Sequence, residues 1–296
     1  MHQIDLAHVG RGPHEELVTY IADQQDYYAD EGVHVSLRDG SLWDPERLRR
    51  GAVIGLGRTL LSRLVGGIPW VALSANTRHP QFWVLARPGL NSLADLAGRR
   101  LAVHPPHTGP GCFTRIVLRQ AGLDPDGDVR TVVRAPGDYS MDLRRLRDGT
   151  IDAAVVGDTI APEAVAAENR WRVLAFFGDH FRIPTVGVAV DPTHVPPDDP
   201  AVQAVVRAQR RALEVIRNDP DTTVRYLRSF LTGHTEEEVR AHHEKFIAPY
   251  FGTDGRADAV AGDTADETAL TAVAAELGVR ATITAADFYR TASARP

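Results

Sequence analysis

Two lobes of alternating strand and helix, completed by a helical C-terminal segment, are the α/β architecture this sequence predicts. Three observations carry the prediction. Strand-like stretches alternate with helix-like ones from the N-terminus, which indicates mainly parallel sheets with helices on both faces. A second run of such units lies between two extended stretches that read as crossings, QFWVLARPG and IPTVGVAVD. From Asp198 onward the pattern is helical alone.

The elements follow in order. Gln3 to Val9 alternates as a buried strand does, and GRGP leads into a helix from about His14 to Asp30. That helix carries Leu17, Tyr20, Ile21, Gln24 and Tyr28 roughly on one face. Gly32 stops it. VHVSL is the second strand. Asp44-Pro45-Glu46 opens a short helix, with proline where its missing N–H costs nothing. A small-residue strand over Gly51 to Gly55, a helix over Arg58 to Val65 and the strand PWVALSA complete the first set. The second lobe, residues 88–184, offers strands RLAV, TVVR, DAAVV and RVLAF with helices between them. Residues 1–87 and 185–296 then form the first lobe. The terminal helices are expected to pack on it, Thr284 caps the last short one, and RTASARP is a frayed tail.

At 296 residues the chain can bury a large core. A net charge of -6 speaks against nucleic acid, whose binding surfaces are basic. No apolar run approaches the roughly 20 residues that span a bilayer. Cys112 is the only cysteine, so no intrachain disulfide forms. Lys245 is the only lysine and lies in the polar stretch AHHEKF, a poor setting for a Schiff base. MHQIDLAHV has no basic, apolar or cleavage region of a secretory signal. The expected location is cytoplasmic for the chain as written, and extracytoplasmic if a signal has been removed from it.

In open α/β sheets, ligands bind outside the carboxyl ends of the strands. The loops there carry a ligand-binding set of His8, Arg11 and His14; Arg58 and Thr59; Asn76 and His79; His107, Thr108, Gly109 and Gly111; Arg134 and Tyr139; Asp158; and Arg182. Several arginines and histidines beside a helix start suit a carboxylate, sulfonate or phosphate, although loops are polar in any case. His104 and His107 flank Pro-Pro at no known zinc spacing, so neither a metal nor another cofactor is expected. Cys112 falls in the first turn of a helix, a position that favours thiolate, yet free cysteines are more often buried and inert. GRGP and GPG match no nucleotide-binding pattern, and no G-x-S-x-G elbow occurs.

A resemblance joins these readings. SLADLAGRRLAV, with its small-residue loop and the helix ending LRQAGLDPDGDVRTV, resembles the second-lobe entry of the solute-binding proteins of ABC importers. The sulfonate, taurine and thiamine-precursor branch is the most similar in style. YYADEGVHVSL, LRRLRDGTIDAAVVGD and IPTVGVAVDPTHV resemble its second strand, its buried-strand segment and its return crossing. The resemblance implies a type II periplasmic-binding-protein fold that captures a small, anionic organic solute by closure and, if exported, hands it to an ABC permease. It equally implies the cytoplasmic enzymes of that fold: decarboxylases, desulfinases, dehydratases and thiamine-pyrimidine synthases. On that alternative His104, His107, Asp138 or His180 serves as acid or base, and Cys112 is the candidate nucleophile. A ligand-sensing regulatory domain is the third reading, without a DNA-binding helix pair to accompany it.

Overall fold

The computed structural model describes residues 2–10, 12–134, 139–251 and 264–289. The first lobe begins with β1 (His2–His8), α1 (Pro13–Gln24), α2 (Tyr27–Asp30), β2 (Val33–Asp39), α3 (Pro45–Leu48), β3 (Ala52–Ile54), α4 (Leu56–Gly66) and β4 (Val71–Ala72). The single helix expected over His14 to Asp30 is two. Asp26 takes a left-handed φ of 57°, a conformation that aspartate tolerates better than most residues, and it ends the first helical run.

The second lobe contains β5 (Phe82–Ala86), β6 (Arg100–Val103), α5 (Gly109–Gln120), β7 (Arg130–Val133), α6 (Ser140–Asp148), β8 (Ala153–Gly157), α7 (Pro162–Asn169) and β9 (Arg172–Phe176). Its five strands run in the order β7-β6-β8-β5-β9. β6 is parallel to β7 and β8, and β5 is antiparallel to β8 and β9. This pairing moves the lobe boundary from the one drawn after residue 87. β5 stands upstream of that point, yet it is buried along its whole length inside the second sheet. The outward crossing therefore lies before it.

The chain returns in β10 (Val188–Val190), antiparallel between β3 and β4 in a first sheet ordered β2-β1-β3-β10-β4. The outgoing and returning segments run side by side. Leu73 N–H donates to Val188 O, Asn76 N–H donates to Val186 O, and both bonds measure 2.8 Å. Gly187 permits this approach, because a Cβ there would stand 2.0 Å from the carbonyl oxygen of Ser74.

α8 (Pro200–Asn218) and α9 (Pro220–Leu227) pack against α1. α8 buries Val202, Val205, Ala212, Leu213 and Ile216 on the face turned to α1 and β1. Burying each of these valine, leucine and isoleucine side chains contributes about 1.5–3 kcal/mol. α10 (Glu236–His242) starts on a capping box between Thr235 and Glu238 and runs into a π-helical turn, His243–Ile247. α11 (Thr264–Glu276) departs from the expectation by lying against α5 of the second lobe. Arg115 Nε is 2.8 Å from Glu276 Oε2, and Arg119 also pairs with that carboxylate. α12 (Ala285–Phe288) and Tyr289 then reach β4 in the first lobe.

Candidate functional site

A cavity of about 950 Å3 lies where the lobes meet. The first lobe supplies Val9, Gly10, His14 and Glu15 from the β1–α1 junction and Gly57, Arg58 and Leu61 from α4. The second supplies Phe82, His104, His107 to Pro110, Phe113 and Tyr139, and Leu277 just past α11 closes one side. Most of this wall is apolar.

α1 begins with Pro13 after Gly12, so His14 and Glu15 occupy its first turn at the seam. His14 Nδ1 stands 2.6 Å from Asp158 Oδ1, which follows β8 in the other lobe. Burial alone would lower the pKa of His14, but the charge and hydrogen bond of Asp158 outweigh it and raise the value to about 9. The ring is therefore an imidazolium at neutral pH and meets Phe82 edge-on at 5.9 Å. Glu15 moves the other way for a carboxyl: burial pushes it up to about 7, against the pull of His14. Its Oε1 is 3.9 Å from His14 Nε2, and its buried Oε2 has no hydrogen-bond partner.

On the opposite wall, His104 Nε2 is 3.1 Å from the hydroxyl of Tyr139. Burial, with Arg134 nearby, holds His104 well below the usual imidazole range, so it is neutral. Burial likewise pushes the Tyr139 phenol up to about 12. Arg134 lies 4.2 Å over the Tyr139 ring and donates to Asp142 and to Val155 O. α5 opens at the cavity with Thr108 as its cap. The Thr108 hydroxyl accepts from Gly111 N–H at 3.2 Å and donates to Pro105 O at 2.7 Å. Only glycine fits at 111, where a Cβ would lie 2.0 Å from Pro105 O.

The structure thus brings together His14, Arg58, His104, His107, Thr108, Gly109 and Tyr139. Arg58 is largely occupied, since it donates to the carbonyls of Gly40, Ser41 and Trp43. Asp158 and Arg134 act from behind, through His14 and Tyr139. The others expected there lie elsewhere. His8 lines a separate recess of about 410 Å3 with Tyr20 and Arg38. Thr59 caps carbonyls of its own helix, Asn76 is buried against Gln209, and His79 bonds Gly178 O beside the Tyr250 ring. Gly111 sits behind Thr108, and His180 and Arg182 follow β9 outside the cavity wall. Cys112 corrects a specific expectation. One residue along α5 turns its side chain away from the cavity, to 3.9 Å from Val273 O under α11, and burial pushes the thiol up to about 11. Arg11 and Asp138 fall outside the described residues. Sequence reasoning missed Glu15, Phe82, Phe113 and Leu277 as wall residues. Glu15 gave the clearest signal, as a carboxylate directly after a cleft-loop histidine. Among the described residues, no cluster of three or more His, Cys, Asp or Glu is placed to hold a metal, and no helix is long and apolar enough to cross a membrane.

Two five-stranded sheets, each with one antiparallel strand beside its parallel ones, joined by paired crossings over a seam cavity, define the periplasmic-binding-protein class of fold. The chain belongs to the NMT1/THI5-like family, whose model matches residues 15–223. No curated protein matches the chain. Among solved structures, a protein of Bordetella bronchiseptica RB50 aligns with a TM-score of 0.78 at 18% identity, covering 99% of this chain and 95% of that one. The alkanesulfonate-binding protein SsuA of Xanthomonas axonopodis pv. citri, bound to MOPS, aligns at 0.65 with 16% identity, over 82% of this chain and 84% of that one. The desulfurization enzyme DSZB aligns at 0.63 with 16% identity, over 94% and 93%. The fold is thus shared by binding proteins and by an enzyme.

Proposed function

We propose that the chain captures a small anionic organic molecule with an apolar body between its lobes and releases it unchanged. The observation that carries this reading is the His14–Asp158 bond, which crosses the seam directly beside an apolar cavity. A ligand held on both walls favours the closed arrangement that makes this bond, and only such differential affinity can drive closure. Phe82, Phe113 and Leu61 suit the apolar body. The imidazolium of His14 and the start of α5 suit the charged head. Similarity to a sulfonate-binding fold supports the same reading. An exported copy would pass the ligand to an ABC permease.

Catalysis on the same fold is the second reading, and one observation favours it: a carboxyl that titrates near neutrality beside an imidazolium can exchange protons. The packed position of Cys112 weighs against the desulfinase form of that reading. Incubation of the pure chain with a metabolite extract, followed by unfolding and mass spectrometry, separates the two. Binding predicts a compound recovered unchanged in proportion to the protein. A product that accumulates with time would replace binding with catalysis.

A further inference from the structure

The C-terminal segment is fastened to both lobes and passes the cavity between its two fastenings. α12 and Tyr289 hold the first lobe. Tyr289 bridges Ala72 of β4, Arg63 of α4 donates to Asp287 O at 2.9 Å, and the Tyr289 hydroxyl donates to Pro184 O at 3.3 Å. Phe288 and Tyr289 are buried there. α11 holds the second lobe by side chains, through the pairing of Glu276 with Arg115 and Arg119 of α5. Between the two, Leu277 lines the cavity. Val65 of α4 lines it too and is 63% exposed, so the cavity meets solvent on this side.

The fastenings differ in what their release leaves behind. If α11 leaves α5, Arg115 keeps Asp126, at 2.6 and 2.7 Å, and Arg119 keeps Asp124, so no cation is stranded. Glu276 passes into water. The buried face of α11 is Ala269, Leu270, Val273 and Ala274, a small apolar surface. α11 stays joined to α12, because Glu267 Oε1 accepts from the Ala285 N–H at 2.7 Å. Leu277 travels with α11, since its N–H donates to Val273 O at 3.1 Å. The other seam contacts cost more to open. Separating His14 from Asp158 strands buried charge, and parting Phe246 from Trp83 exposes two buried rings.

Resting on the reading of this cavity as a capture site, we propose that α11 is its door. α11 swings off α5 while α12 stays on the first lobe. Leu277 leaves the cavity wall, and the ligand passes through that gap without separation of the lobes. Cys112, whose Sγ is 3.9 Å from Val273 O, is uncovered by the same movement and reports it.

Two rates measured on the full chain test this: alkylation of Cys112 by N-ethylmaleimide, and exchange of anilinonaphthalenesulfonate followed by stopped-flow fluorescence. The proposal predicts labelling through local opening, so its rate should depend on urea far less than global unfolding does. Saturating probe should slow labelling, because ligand contact with Leu277 favours the shut form. Glu276→Ala should raise the labelling rate and both the association and dissociation rates of the probe by one common factor. That factor is severalfold, the scale for losing partly exposed ion pairs, and the dissociation constant should not change. Faster labelling with unchanged probe rates, or labelling that tracks global unfolding, overturns the door and leaves anion binding standing. Failure of this probe, benzenesulfonate and MOPS to bind while the folded state is intact by circular dichroism overturns the anion-binding reading and the door with it.

Discussion

The His14–Asp158 pair is where one residue's chemistry fixes a global property. Both side chains are nearly or fully buried, so loss of either partner strands the other. Asp158→Asn should cost about 3 kcal/mol, the scale for breaking a buried pair from one side. The pH dependence has a definite sign. Folding raises His14 from 6.5 to about 9, so its stabilisation is complete below 6.5 and is lost as pH climbs through about 9. Folding raises Glu15 from 4.5 to about 7, so ionising it penalises the folded state as pH climbs through that window. Urea midpoints should therefore decline from mildly acidic to alkaline pH, and Asp158→Asn should lose the alkaline part of the decline. A wild-type midpoint that is level from pH 6.5 to about 9 would refute the assignment of His14. The residue types at the site were legible in the sequence because strand-end loops are countable. Burial was not. Glu15 reads as an ordinary acidic residue in a helix's first turn, and only the approach of Asp158 from a distant loop shows that it is enclosed.

Among the elements, α11 does what no local pattern announced. Its helicity was visible, but its partner was not, because the pairing of Glu276 with Arg115 and Arg119 spans the length of two lobes in sequence. The same limit explains β5. Its apolar run could equally be a crossing or a sheet strand, and antiparallel pairing with β8 and β9 decides it. α11 also shields the thiol of α5, which gives a direct test. Native Cys112 should react with a thiol reagent only slowly, since it is 1% exposed and its pKa is pushed up to about 11. Glu276→Ala removes the anchor of α11 and should raise the labelling rate severalfold, while Cys112→Ser should leave ligand capture intact. Rapid labelling of the wild-type chain would show that α11 does not cover α5.

At the scale of the whole molecule, the two-lobed plan was readable because each strand-then-helix unit is a local signal, repeated on both sides of the crossings. What the sequence could not supply was the degree of closure. That depends on contacts between residues far apart in the chain. The His14–Asp158 bond holds one part of the seam. The π-helical turn after α10 holds another, where Phe246 packs edge-on to Trp83 at 5.1 Å and Lys245 pairs with Glu163. α11, α12 and Tyr289 tie α5 to β4 along a third. Opening must release some of these contacts, so ligand exchange should be slow relative to a free hinge. The most direct measurement is a crystal structure of the chain after incubation with a metabolite extract. The account predicts density for one small molecule between Phe82, Glu15 and the start of α5, with His14 still bonded to Asp158. Density outside this cavity, or an empty cavity alongside demonstrable binding in solution, would contradict it.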